Sequence, residues 1–309
     1  MAKFLTLQSA IALFINEKTE PAISKYEISR QIFYCYKTKK FKNLPLNLKK
    51  ECPSVQDINQ VLSLLLENGV LYCEKHDEIN TKKNHFFITG RGNSQKSEFC
   101  CSLDPFCYVS HASAMEHYGI TDRIFRDITI TTHDFNNWKM RSRQKMKSDL
   151  GVYYDEYMQN SLPVLCFPKL KKVKKANVVI FRTKSHGNFR ILKDINVRIS
   201  TIGRTFFDML REPHLCGGID HVIEMYSEHA ERYLDLIIDE FDRHGGPADK
   251  VRCGFILDKI INVTSERISA WKIFKQRGGS RKLDPSHEYS PKYSADWDIS
   301  INVEGIDYE

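Results

Sequence analysis

The chain has 309 residues, 41% of them apolar, with nine cysteines and a formal net charge of +7. That length exceeds what one small hydrophobic core organises and points to two domains, and the apolar fraction is ordinary for a globular protein. No run approaches the roughly 20 apolar residues of a membrane span, and polar Thr6, Gln8 and Ser9 break the opening MAKFLTLQSAIALFINEK, which no small-residue cleavage site follows. An odd number of cysteines without a C-x-x-C pair argues against both a disulfide framework and a zinc site. The expectation is a cytosolic protein with mostly buried, reduced thiols, no membrane contact, no metal and no other cofactor.

Charge is segregated along the chain. Residues 1–96 carry 15 basic and 9 acidic side chains, residues 139–184 carry 12 and 3, and residues 205–250 carry 4 and 11. Two basic regions suit a polyanion, and the acidic third suits a solvated helical face.

In chain order, Thr6 is placed to cap a first helix with apolar Leu7, Ile11, Phe14 and Ile15. Pro21 marks a turn. Ser24 with Glu27 forms a potential capping box for a second helix, with Ile23 and Ile28 as its hydrophobic staple. The segment KTKKFKNLPLNLKKECP (37–53) holds six lysines and two prolines. It reads either as a solvated loop or as a phosphate-contacting insertion that includes Lys49 and Lys50. Ser54, paired with Asp57, opens a third helix whose apolar face is Val55, Ile58, Val61, Leu62, Leu65 and Leu66 and whose opposite face is Gln56, Asn59, Gln60 and Ser63. Asn68 and Gly69 end it. Strands over 70–73 and 85–89 follow, joined by a tip containing Lys75, His76, Lys82 and Lys83.

Three helices followed by a hairpin is the order of a winged helix-turn-helix. In such a module Gln and Asn side chains on the third helix can make paired hydrogen bonds to adenine edges in the major groove. Wing lysines lie over neighbouring phosphates, adding salt-dependent affinity without sequence information. Gln56, Asn59, Gln60 and Ser63 are therefore the expected base-reading residues, and Lys49, Lys50, Lys75, Lys82 and Lys83 the expected backbone contacts. The same order of elements also suits a small module for protein contact.

A polar segment, GRGNSQKSE (90–98), separates this module, residues 1–98, from residues 99–309. The second part is strand-rich to 199, with strands expected over 106–109, 128–132, 164–167, 178–181 and 195–199 and one helix over 110–118. It is helical from 200 to 277 and closes in a tail, 278–309. Strands first and helices after them make the fold class α+β. The segments YVSHASAMEHYGITD (108–122), ITITT (128–132), RISTIGRTFFDMLREPHLCGG (198–218), KLDPS (282–286) and DWDISIN (296–302) resemble the AbiEi family of type IV antitoxins. That resemblance implies a repressor that binds operator repeats in its own promoter through an N-terminal winged helix, as a monomer or dimer on DNA. It also implies a second domain that counteracts a nucleotidyltransferase-like toxin.

Catalytic patterns are sparse. Gly279 and Ser280 followed by Asp296 and Asp298 imitate a nucleotidyltransferase turn and carboxylate pair, but Pro285 and Pro291 forbid the helix that should join them. There is no phosphate loop, no nucleophile elbow and no H-E-x-x-H. His111 reads as a helix-start hydrogen-bonding residue, and Arg204 with Asp208 as a structural pair on one helix. A DNA-binding repressor without enzymatic activity is the expectation, and a non-catalytic RNA- or protein-binding adaptor is the alternative.

Overall fold

The computed structural model describes residues 5–73, 81–276 and 281–306. Its architecture is α+β. In chain order the elements are α1 (Leu7–Asn16), β1 (Ala22–Ser24), α2 (Lys25–Thr38), β2 (Lys40–Phe41), β3 (Leu44–Pro45), α3 (Val55–Glu67), β4 (Leu71–Tyr72), β5 (His85–Ile88), α4 (Lys96–Leu103), β6 (Tyr108–Val109), α5 (His111–Tyr118), β7 (Ile128–His133), α6 (Phe135–Leu150), α7 (Tyr154–Gln159), β8 (Lys172–Val173), β9 (Ala176–Thr183), β10 (Phe189–Leu192), β11 (Val197–Ser200), α8 (Ile202–Arg211), α9 (Ile219–His229), α10 (Leu234–His244), α11 (Pro247–Phe255), α12 (Glu266–Ala270), β12 (Tyr293–Ser294) and β13 (Ile299–Ser300).

The chain packs as two compact units that interleave. The first comprises Met1–Cys107, His133–Lys175 and Lys193–Val197; the second comprises Tyr108–Thr132, Ala176–Leu192 and Arg198–Glu309. The boundary expected at residue 98 falls inside α4, which buries Phe99, Cys100, Cys101 and Leu103. A polar stretch reads as a linker in sequence, but the cysteines and aromatics that follow it start a helix before that stretch has ended.

In the first unit, Thr6 caps α1 by accepting from the Ser9 N–H at 3.1 Å, and Ser24 caps α2 by accepting from the Glu27 N–H at 3.1 Å. The Glu27 carboxylate pairs with Lys18 instead of completing a box. The strand β1 pairs antiparallel with β5 (Ile23 opposite Phe86), and β5 pairs antiparallel with β4 (Tyr72 opposite Phe87), so the wing is a three-stranded sheet in the order β1-β5-β4. Ile11, Ile15, Ile28, Ile32, Phe33, Ile58, Leu62, Leu65 and Phe86 form one buried cluster, which Trp138, Met146 and Leu150 of α6 and Tyr157 of α7 complete. The strand expected over 164–167 is irregular; Leu165 inserts into this same core from a segment without regular secondary structure.

In the second unit, the strands run in the order β10-β11-β6-β7-β9, with β11 parallel to β6 and β6 antiparallel to β7. The helices α8 to α11 supply most of its core, including Phe206, Phe207, Met209, Val222, Tyr226, Ile237, Phe241, Val251 and Phe255, with Trp271 and Trp297. Gly203 lets α8 approach α10 closely, since a Cβ there would sit 2.2 Å from the Leu236 carbonyl oxygen. Seven of the nine cysteines are buried, and all nine are free thiols. Among the described residues, no helix is long and apolar enough to cross a membrane, and no three His, Cys, Asp or Glu side chains converge as a metal site.

Candidate nucleic-acid interface

The third helix begins with a complete capping box. Ser54 Oγ accepts from the Asp57 N–H at 3.2 Å, and Asp57 Oδ2 accepts from the Ser54 N–H at 2.8 Å. Lys50 then grips both Asp57 carboxylate oxygens at 2.9 Å. Burial alone would raise the Asp57 pKa, but the Ser54 backbone bond and the Lys50 ammonium outweigh it and hold the carboxyl below its ordinary value. The box starts the helix at Val55 and so decides which residues turn outward.

Ile58, Val61, Leu62 and Leu65 are buried, whereas Gln56 and Gln60, four residues apart, are exposed side by side. Asn59 and Ser63 are half-buried. Asn59 is engaged from within: its Oδ1 accepts from Lys25 Nζ at 3.0 Å, and the same ammonium donates to the Thr81 carbonyl at 2.8 Å. One lysine at the start of α2 thus ties the third helix to the returning arm of the wing. Burial lowers the Lys25 pKa from its ordinary value. No sequence signal marks this contact, because the three residues are brought together by tertiary packing alone.

The expected phosphate contacts divide into several kinds. Lys82 and Lys83 are exposed just before β5. Lys75, with His76, lies outside the described residues. The insertion at 37–53 is more ordered than a solvated loop: β2 and β3 pair as a small hairpin, with Lys40 opposite Pro45, and Phe41 and Leu46 bury themselves in the core. Its lysines are largely matched to acids, Lys37 with Glu156, Lys39 with Glu51, Lys42 with Glu17 and Lys50 with Asp57. Lys40 and Lys49 are exposed without an ion partner among the described residues. Lys49 is thus exposed, while Lys50 is committed first to the helix cap.

The basic stretch WKMRSRQKMK (138–147), which the sequence places with residues 99–309, departs most from that division. It is most of α6, and it belongs to the same unit as the winged helix. Trp138, Ser142, Met146 and Leu150 recur every four residues and face inward. Trp138 Nε1 donates to Asp104 Oδ1 at 3.0 Å. At the other end, Asp149 accepts from Tyr26 Oη at 3.2 Å, pairs with Arg30 at 3.0 Å and pairs with Lys145 at 3.2 Å. Lys139, Arg143 and Lys147, also four apart, are exposed on the outer side. The spacing Trp138, Met146, Leu150 was a readable signal for this helix, weakened by the serine in its seam.

A second polar cluster lies in the interior of the other unit. Arg204 is 1% exposed, with Nε 2.8 Å from Asp208 Oδ1 and Nη1 3.5 Å from Glu240 Oε1. The short contact to Asp208 Oδ1 is out of line for a hydrogen bond and leaves Arg204 Nε without a hydrogen-bond partner among the described residues, and the other carboxylate oxygen, Oδ2, also has none. Burial pushes the Asp208 pKa up to about 6, with the Arg204 charge opposing it. The guanidinium also lies over the Phe207 ring at 4.5 Å. His111 sits at the start of α5 with φ of 51°, and its Nδ1 is 2.8 Å from Ser110 Oγ, which accepts from Thr131 Oγ1 at 2.8 Å. Burial, with Arg204 nearby, lowers the His111 pKa to about 3. These are the helix-start hydrogen bond and the same-helix ion pair expected from sequence, now seen packed in one core. Asp296 pairs with Lys259 at 2.6 Å and Asp298 accepts from Tyr293 Oη at 2.8 Å; Gly279 and Ser280 lie outside the described residues.

No family model and no curated protein matches the sequence. Among solved structures, the crystal structure of the Rv2827c protein from Mycobacterium tuberculosis is similar at a TM-score of 0.47 and 10% identity, covering 97% of this chain and 92% of that one. A likeness at that level decides neither fold nor function.

Proposed function

We propose that this chain is a sequence-specific duplex-DNA-binding regulator, a repressor of its own operon, with the first unit reading the operator. The observation that carries this reading is the exposed Gln56–Gln60 pair on a firmly capped α3 beside the β1-β5-β4 sheet. Adjacent amides at one helical turn suit base edges in a major groove, and the exposed Lys49, Lys82 and Lys83 suit phosphates beside it. The exposed basic side of α6 adds to the positive surface of the same unit. Counteraction of a nucleotidyltransferase-like toxin by the second unit is the further implication of the AbiEi resemblance.

A mobility-shift titration of the full chain against duplex DNA from upstream of its own reading frame tests the proposal. Gln56→Ala should weaken binding to that DNA by about 1–3 kcal/mol while leaving binding to unrelated duplex unchanged. Equal affinity of the unaltered protein for both duplexes at moderate salt would reject it, and preferential capture of structured RNA would favour the adaptor reading.

A further inference from the structure

The sequence leads one to expect that Asn59 reads adenine, because a carboxamide can accept from adenine N6 and donate to N7 together. Its surroundings give a different answer. An ammonium has three donors and no acceptor, so every polar atom it bonds must be an acceptor. Lys25 Nζ contacts Asn59 at 3.0 Å and the Thr81 carbonyl at 2.8 Å. The amide atom facing it is therefore oxygen, and the amide orientation follows from chemistry. The NH₂ group is left on the opposite edge of the planar carboxamide from Lys25. Lys25 is itself fixed, since its backbone N–H donates to the Asn84 carbonyl at 2.8 Å where α2 leaves β1. Asn59 and Lys25 are both half-buried, so turning the amide over would place N–H donors against a partly desolvated cation.

We infer that Lys25 is a specificity-setting residue: by engaging one lone pair of Asn59 Oδ1 and setting a cation against that oxygen, it shifts Asn59 from adenine toward acceptor edges that its NH₂ can donate to, guanine O6 and N7 first and thymine O4 next. The inference rests on the proposal that the first unit reads duplex DNA. Guanine ranks first because both its major-groove atoms accept, giving the two amide hydrogens adjacent targets. Lys25 acts as a positioning residue, through Asn59, with no base contact of its own. A purely structural role, holding the wing to α3, would change affinity for all duplexes alike and leave the preferred base unaltered.

The test is selection of tight binders from a duplex pool randomised over 20 base pairs, using the full chain and four variants. Unaltered protein should enrich a site with one position, guanine or thymine, whose preference disappears in Asn59→Ala. Lys25→Met keeps the aliphatic stem, removes the donor and frees the amide oxygen; that position should change to adenine. Lys25→Arg should keep the original base. Asn59→Asp, which stays bound to Lys25 but offers no donor, should lose the guanine preference by at least tenfold in enrichment and needs no change at Lys25. Adenine at the Asn59-dependent position in unaltered protein, or an unchanged base in Lys25→Met, overturns the inference while leaving the DNA-reading proposal intact. So does an enriched site with no Asn59-dependent position. If unaltered protein enriches no sequence at all, the proposal falls and the inference with it.

Discussion

Arg204→Met is the most informative single change in the second unit. The guanidinium is 1% exposed between two carboxylates, at 2.8 Å from Asp208 and 3.5 Å from Glu240. At an effective dielectric constant of about 20, those distances of 2.8 and 3.5 Å correspond to roughly 6 and 5 kcal/mol of attraction before desolvation. Burial of three charged groups cancels most of that, but deleting this guanidinium leaves two buried carboxylates without their nearest cation. Breaking such an arrangement costs about 3–5 kcal/mol. The cost must also depend on pH. Asp208 titrates near 6 with the guanidinium present, above the carboxylate value of about 4 in an unfolded chain. Without Arg204 its folded pKa rises further, so the folded variant holds a proton that the unfolded one releases. That contribution is complete below about pH 4 and is lost as the pH climbs through the folded value. Urea denaturation of Arg204→Met, followed by circular dichroism, should show the full penalty at pH 8 and a clearly smaller one at pH 5. A penalty below about 1 kcal/mol at pH 8, or the same penalty at both pH values, would refute this account of the cluster.

Gly254→Ala should destabilise the second unit by about 1–3 kcal/mol despite alanine's better helix propensity, because the added Cβ would sit 2.1 Å from the buried Trp297 ring; thermal unfolding and tryptophan fluorescence both report it. His111 contributes an acid-sensitive limb. With its pKa lowered to about 3, the folded form refuses a proton that the unfolded chain binds below about pH 6.5, so stability falls as pH drops through that window. His111→Asn, a residue that tolerates the positive φ, should flatten that limb in a plot of melting temperature against pH. Replacing exposed Lys139, Arg143 and Lys147 together by alanine should lower the slope of log K against log salt for duplex DNA by about 2.7, from roughly 0.9 per phosphate contact, without altering sequence preference. An unchanged slope would exclude the outer face of α6 from the contact surface.

Local chemistry made much of the first unit legible in the sequence. Ser54 with Asp57 marked the start of α3 to the residue, Gly69 with φ of 66° marked its end, and two of the three strands of the wing, β4 and β5, were found within a residue or so of their observed bounds, while three-residue β1 was not expected. The misses share a physical cause. Lengthwise pattern shows which face of an element is apolar, but gives no indication of what will cover it. The seam of α6 therefore could not be assigned to the core of Ile32 and Leu62. Two-residue strands such as β2 and β3 are too short to generate a period. Asn59 was legible as a polar residue on an outward face, yet its chemistry depends on Lys25, thirty-four positions away. Candidate residues were thus identifiable by type and position, while their protonation, orientation and partners came from packing.

The interleaving of the two units bears on how the polypeptide is born and how it can be cut. Five times along its length the backbone leaves one unit for the other. A ribosome that has released α1, α2 and α3 has not yet made Trp138, Met146, Leu150 or Leu165, so the greasy underside of the nascent module waits uncovered for dozens of residues more. Expressing residues 1–98 as a stand-alone fragment would freeze that unfinished stage. Neither unit can be shed, swapped or shuffled as a cassette by a single crossover, because no one cut in the chain separates their residues.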